Sequence, residues 1–131
     1  MRWTHLTLAV ADLSRSVDFY TRLCGLSVVR DRRSEGGTTV WLGAPPPAGK
    51  DPTFVLVLAQ GEVTARIDHL GFQCATRAEV DALAARAREG GALVHAPKDS
   101  GGTIGYWCLV VDPDGHRVEF THGQPLVGIG A

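Results

Sequence analysis

Two histidines and a glutamate, far apart in the chain, have the residue types and strand positions of a metal site. His5, His69 and Glu119 each stand where apolar and polar residues alternate, which is typical of a strand with one buried face. Two imidazoles and a carboxylate are suitable ligands for a divalent transition metal, so the pattern predicts a metal site if the strands converge. The alternative is that the histidines are hydrogen-bonded packing residues and that Glu119 pairs with Arg117 or a neighbouring chain.

The chemistry of such a site would be catalytic rather than structural. Three protein ligands leave coordination positions open for water and substrate. A divalent ion held in this way acts as a Lewis acid towards a small molecule that offers it two oxygens. The ligand set by itself does not say which reaction follows.

A βαβββ unit, used twice, has to position these residues. In the first half, a strand precedes a helix that opens near Asp12, and a second strand follows Gly25. In the second half, Thr76 and Glu79 predict a capping box, and Gly90 or Gly91 ends the helix. The remaining predicted strands lie near residues 37–42, 53–59, 103–111 and 116–122.

These segments predict the α+β class with two modules of nearly equal length in one domain, 1–131. Module one covers about 1–62 and module two about 63–125. The turn at 112–115 predicts a hairpin between the last two strands, and the proline-rich stretch 43–52 predicts a loop.

Strand alternation assigns the polar side chains to one face of each module. In the first strand, Leu6, Leu8 and Val10 form the set that the helix covers. The opposite, cleft-forming face takes the candidate ligands and three further polar residues that could position a substrate: His5, Thr7, His69, Gln73, Glu119 and Thr121.

Composition narrows the partners. The chain has 131 residues, 44% of them apolar, and a formal net charge of -1 with scattered basic residues, which argues against nucleic acid or an anionic membrane. The N-terminus lacks a signal-peptide pattern and no apolar segment approaches bilayer length, so we expect a soluble cytoplasmic protein. Three cysteines at irregular spacings are expected to be reduced, mostly buried thiols: Cys24, Cys74 and Cys108.

Three stretches, THLTLAVADLSRSVDFYTRLCGL, RIDHLGFQC and DPDGHRVEF, resemble the vicinal oxygen chelate superfamily. This group includes glyoxalase I, methylmalonyl-CoA epimerase, extradiol dioxygenases, fosfomycin-resistance thiol transferases and bleomycin-binding proteins. The resemblance covers nearly the whole chain and implies the glyoxalase/bleomycin resistance/dioxygenase fold, in which two βαβββ modules form a curved mixed sheet.

The resemblance also implies one divalent ion, Mn, Fe, Ni or Zn. His5 of the first module would bind it together with His69 and Glu119 of the second. In many relatives the modules pair across a homodimer, so His5 would come from one chain and the other two ligands from its partner. The cleft would be shared between the chains.

Glyoxalase I and the epimerase usually have a fourth protein ligand, and the alignment of the two halves places Val57 there. Valine cannot bind a metal, although a register error could bring in Gln60 or Glu62. The segments HLTLAVADL and DPDGHRVE are most similar to the fosfomycin group, where Thr7 matches a position that contacts the phosphonate. The loop PKDSGGT and the tail QPLVGIGA, however, lack most of the basic and serine residues of that group.

Two functions therefore remain open. The favoured one is a metal-dependent enzyme acting on a small molecule with vicinal oxygens, by lyase, isomerase, thiol-transfer or dioxygenase chemistry, with no general base identified. The alternative is a metal-free resistance protein that binds a drug or metabolite, as bleomycin-binding proteins do. Trp41 and Trp107 are candidates for stacking on a planar ligand, and His95, His116 and His122 are expected in loops or on the surface.

Overall fold

The chain forms two compact units, Met1–Arg66 and Ile67–Ala131. The computed structural model describes residues 1, 3–44, 48–49 and 54–124. The tail and most of the predicted loop at 43–52 lie outside these residues. Each unit has the order βαβββ, which confirms the α+β class and the repeated module, while the single domain remains a prediction. Among the described residues, no helix is long and apolar enough to span a bilayer.

The first unit contains four strands, one α-helix and one 3₁₀ turn. Asp12 caps the helix by accepting a hydrogen bond from the Arg15 backbone N–H at 3.0 Å. The 3₁₀ turn was not predicted, and it follows because the Asp31 carboxylate accepts from the Arg33 N–H. The elements are β1 His5–Val10, α1 Leu13–Arg22, β2 Ser27–Asp31, the 3₁₀ turn Arg32–Glu35, β3 Thr39–Gly43 and β4 Val55–Gln60.

The second unit repeats this plan, with no 3₁₀ turn between residues 67 and 124. Thr76 caps its helix by accepting from the Glu79 N–H at 3.1 Å. The Glu79 carboxylate accepts from the N–H of Ala75 rather than that of Thr76, so the capping box is displaced by one residue. The elements are β5 Leu70–Gln73, α2 Arg77–Glu89, β6 Leu93–Asp99, β7 Tyr106–Val111 and β8 Arg117–His122.

Each unit builds its own four-stranded mixed sheet, in the orders β1-β4-β3-β2 and β5-β8-β7-β6. The first and last strands of each unit pair in parallel and the other neighbours are antiparallel. Thr7 lies beside Val57 in one sheet, and Gly71 lies beside Glu119 in the other. This register agrees with the alignment that makes Val57 the counterpart of Glu119.

Each α-helix covers one face of its own sheet, and among the described residues of the same unit no second α-helix lies on the other face. Helix α1 contacts β3 and β4, and α2 contacts β6, β7 and β8. Each helix buries aliphatic and aromatic side chains against its sheet, and this burial is the main stabilisation of the unit. The buried positions follow the predicted alternation and include Leu8, Val10, Leu42, Leu58, Val80, Val118 and Phe120.

The hairpin turn at 112–115 forms as predicted. The Asp112 carboxylate accepts from the N–H groups of Asp114 and His116, and Gly115 takes a φ of 85°. The expectation that His116 is a surface or loop residue holds for the loop and not for the surface, because it precedes β8 and is only 1% exposed. His116 shares strand parity with Val118 and Phe120, so its place on the buried face outweighs its polarity.

Candidate functional site

A cavity of about 350 Å³ lies within the first unit and is lined by three of the predicted site residues, His5, Thr7 and Trp41. His5 and Thr7 are alternate residues of β1, and Trp41 is on β3. They share the cavity because strand alternation turns them away from the face that α1 covers. The cavity thus brings these three residues together, while their role in a site stays a prediction.

The same cavity has lining residues that the sequence analysis missed. Thr39 shares the parity of Trp41 on β3, so alternation could have identified it. Arg32 stands on the 3₁₀ turn, which no periodicity signalled. The remaining lining residues are Thr4, Val55 and Val57, and the valines give the cavity an apolar wall.

His5 has one ring nitrogen engaged by its neighbour. Its Nδ1 lies 2.9 Å from the Thr4 hydroxyl, which leaves Nε2 as the nitrogen for a ligand or metal. Val57 lines the same cavity, so the counterpart of Glu119 in this unit is an apolar side chain.

His69 and Glu119 approach each other in the second unit. Glu119 is on β8, next to β5 in the sheet, and His69 immediately precedes β5. The His69 Nε2 and Glu119 Oε2 atoms are 4.0 Å apart, with side chains 46% and 17% exposed respectively. The amide of Gln124 donates to the other oxygen of Glu119 at 3.2 Å.

Asp68 determines which nitrogen of His69 carries a proton. The His69 Nδ1 lies 2.6 Å from the Asp68 carboxylate, and an ionised carboxylate can only accept, so Nδ1–H donates. The same hydrogen bond lowers the pKa of Asp68. In the neutral ring, Nε2 therefore keeps its lone pair on the side facing Glu119.

The nitrogen of His69 and the oxygen of Glu119 that face each other are both atoms that bind divalent metals. A gap of 4.0 Å is only slightly less than two metal–ligand bonds of about 2.1 Å each, so one ion could contact both atoms at a wide angle, and neighbouring positions on the ion would need the side chains to approach further. Within the described residues, no group of three or more His, Cys, Asp or Glu side chains lies close enough to hold a metal. His69 and Glu119 thus fit two ligands of a site, and the third stays a prediction.

Gln73 and Thr121, the predicted substrate residues on β5 and β8, differ in how far they are exposed. Gln73 is exposed on β5, where it pairs with Thr121. Thr121 is only 2% exposed, and its hydroxyl donates to the Ile104 carbonyl at 3.5 Å. A ligand would reach the Thr121 side chain only after the segment that contains Ile104 moved.

Trp107 is held by residues of its own unit. Its indole N–H donates to the Ser100 hydroxyl at 2.9 Å. The His95 ring packs against it with a centroid separation of 4.6 Å. A planar ligand would compete with His95 for this ring.

Comparison with known proteins supports the repeated-module reading. Residues 2–120 match the model of the Glyoxalase/Bleomycin resistance protein/Dioxygenase superfamily. An uncharacterized protein of Pseudomonas aeruginosa is 40% identical over 128 residues, which cover 94% of this chain and 89% of that protein. A trivalent organoarsenical cleaving enzyme of Thermomonospora curvata is 33% identical over 91 residues, which cover 70% of this chain and 56% of the enzyme.

A solved structure shares the fold. The genomically encoded fosfomycin resistance protein FosX of Listeria monocytogenes matches with a TM-score of 0.73 at 20% identity, over 94% of this chain and 93% of that one. Identity at this level shows a common fold alone. Since the family model spans most of the chain and agrees with its two βαβββ units, the chain belongs to the glyoxalase/bleomycin resistance protein/dioxygenase superfamily.

Proposed function

We propose that this protein is a divalent-metal-dependent enzyme that acts on a small molecule offering two vicinal oxygens. His5, His69 and Glu119 are the proposed metal ligands. The superfamily includes enzymes, and one relative of this chain is named an organoarsenical cleaving enzyme. The reaction type belongs to lyase, isomerase, thiol-transfer or dioxygenase chemistry.

One observation carries the proposal, namely the orientation of His69. Asp68 binds Nδ1 at 2.6 Å, so the lone pair of Nε2 faces the Glu119 carboxylate across 4.0 Å. Metal-binding histidines commonly donate their other ring nitrogen to a carboxylate, which fixes the tautomer and raises the basicity of the ligating nitrogen.

The described residues supply binding and orientation around the proposed site. When bound, a divalent ion supplies Lewis-acid polarisation of the oxygens that it holds. The Thr7 hydroxyl can donate to a substrate oxygen, and Trp41 can stack on a planar portion of the substrate. Val55 and Val57 exclude water from one wall of the cavity. No residue is assigned as general base.

The proposal extends to assembly and location. We infer a homodimer in which His5 of one chain completes a site with His69 and Glu119 of the other, as the resemblance to the superfamily implies. We also propose that the enzyme is cytoplasmic.

Metal analysis of anaerobically purified protein tests the ligand set. We expect one divalent ion per chain in the wild type, and its loss in His5→Ala, His69→Ala and Glu119→Gln. His95→Ala is the matched control, because His95 is exposed and packs on Trp107. A wild-type protein without stoichiometric metal, or metal content that is unchanged in all three ligand variants, would overturn the proposal.

A second candidate function is metal-free binding of a drug or metabolite. The observation that favours it is the cavity of the first unit, where Trp41, Val55 and Val57 form an apolar surface. Ligand binding that quenches Trp41 fluorescence in a protein purified without stoichiometric metal would support this candidate. Binding that EDTA abolishes would count against it.

A further inference from the structure

The cavity of the first unit carries a positive charge. Among the described residues that line it, Arg32 is the one with a permanent charge, and no carboxylate is present in the lining. Its side chain is 45% exposed, so the guanidinium retains contact with solvent. A cation at the edge of an apolar cavity favours a ligand with a negative group.

Neighbouring charges do not neutralise Arg32. The Glu35 carboxylate accepts from Arg32 Nε at 3.2 Å, but it also takes two hydrogen bonds from Arg30 Nη2, at 2.9 and 3.2 Å. Arg33 is paired with Asp31 at 2.6 Å. Three arginines against two carboxylates leave one net positive charge, 3 − 2 = 1, over the end of β2 and this turn.

The free hydrogen-bonding capacity of Arg32 is also suited to a ligand. Among the hydrogen bonds and ion pairs of the described residues, Arg32 uses only its Nε, which donates to the Glu35 carboxylate. The two terminal amino groups therefore remain available, and together they match the two oxygens of a carboxylate.

The other lining residues indicate the polarity and size of the ligand that the cavity could hold. Trp41, Val55 and Val57 present apolar surface, while the buried Thr39 hydroxyl has no hydrogen-bond partner within the described part of the chain. Buried hydroxyls normally have a hydrogen-bond partner, so a bound molecule with a polar group could supply the one that Thr39 lacks. The cavity of about 350 Å³ has the size of a small-molecule pocket.

We propose that Arg32 is a specificity-determining residue that selects planar, largely apolar ligands bearing a carboxylate. This deepens the proposed function and rests on it only in taking this cavity as the substrate pocket. Arg32 binds the carboxylate, Trp41 stacks on the planar body and Thr39 bonds a polar substituent.

Benzoate and benzamide are suitable probes, because they share a ring and differ in charge. We expect benzoate to bind about tenfold more tightly or better, as a charge-assisted hydrogen bond to arginine implies. Binding is followed through the Trp41 indole N–H signal in NMR, which is assigned with Trp41→Phe. Arg32→Gln should abolish the preference, and Arg32→Lys should keep part of it.

Arg33→Gln is the matched control, since Arg33 is on the same turn but does not line the cavity. It should keep the preference for benzoate. The proposal is overturned if wild type binds both probes equally, if it binds neither, or if Arg32→Gln retains the preference with an unchanged thermal midpoint. Every measurement is made in EDTA, so failure of the metal site and failure of the Arg32 proposal are distinguishable.

Discussion

At the scale of single residues, hydrogen bonds to near neighbours prepare the candidate ligands. Thr4 engages Nδ1 of His5, and Asp68 engages Nδ1 of His69. Each contact joins residues adjacent in sequence, so it forms without help from distant parts of the chain. Both imidazoles are thereby oriented through Nδ1, and their Nε2 atoms remain for the site.

The buried cysteines are in a different chemical state from a reactive thiol. Burial is the main cause that raises the pKa of Cys74 and of Cys108 from 9.0 to about 11. Thiolate is the nucleophilic form of cysteine, so neither residue is suited to nucleophilic chemistry at neutral pH.

We predict that iodoacetamide at about pH 8 labels Cys24 in native protein and all three cysteines after unfolding. Mass spectrometry measures the labelling. Rapid labelling of Cys74 or Cys108 in native protein would contradict the prediction.

The free energy of unfolding should fall as pH rises from 9.0 to about 11, because the unfolded chain releases the thiol protons before the folded chain does. Denaturant titration across this pH range measures the effect. Cys108→Ala should flatten the pH dependence.

At the scale of elements, the segment between β6 and β7 depends on glycine at particular positions. Gly101 and Gly105 both have positive φ, 61° and 77°. A Cβ on Gly105 would lie 2.5 Å from the His122 carbonyl oxygen, whereas one on Gly101 would meet nothing within 4 Å. The Ile104 carbonyl of this segment also accepts a hydrogen bond from the Thr121 hydroxyl, so its backbone contacts a predicted substrate residue.

The two glycines form a matched pair of variants. Gly101→Ala should cost about 1 kcal/mol, the strain of a positive φ. Gly105→Ala should cost more, about 3 kcal/mol, because backbone atoms must also shift. Urea denaturation of both variants measures the difference. Equal destabilisation would show that the His122 carbonyl moves away from the new Cβ at no further cost.

At the scale of the whole molecule, the two units differ in what they contribute to the proposed site. The first contains His5 and a cavity with Arg32, and the second contains the His69 and Glu119 pair. In the proposed homodimer, a complete ligand set needs residues from two chains. This arrangement can be tested without a known substrate.

Co-expression of His5→Ala with Glu119→Gln provides the test. If sites are shared between chains, each mixed dimer has one intact site and one site with both substitutions, while either variant alone has none. We therefore expect metal binding to return in the purified mixed dimer. If every site lies within one chain, mixing restores nothing, and the shared-site proposal fails although the ligand set can still be correct.

Much of the molecule could be predicted from local sequence, for a physical reason. Strand alternation and helix caps involve residues close in sequence, so the pattern located both βαβββ units, the caps at Asp12 and Thr76, and the common face of His5 and Thr7. The equivalence of Val57 and Glu119 also followed from the repeat, and the strand register agrees with it.

The tertiary structure decided what depends on segments that fold over one another. Arg32 joins the cavity only because the 3₁₀ turn brings it beside β3. Thr121 is covered by a segment that precedes β7, and His116 is buried although it follows a turn. Residue type and periodicity describe a side chain and its direction from the backbone, whereas burial depends on which distant residues pack against it.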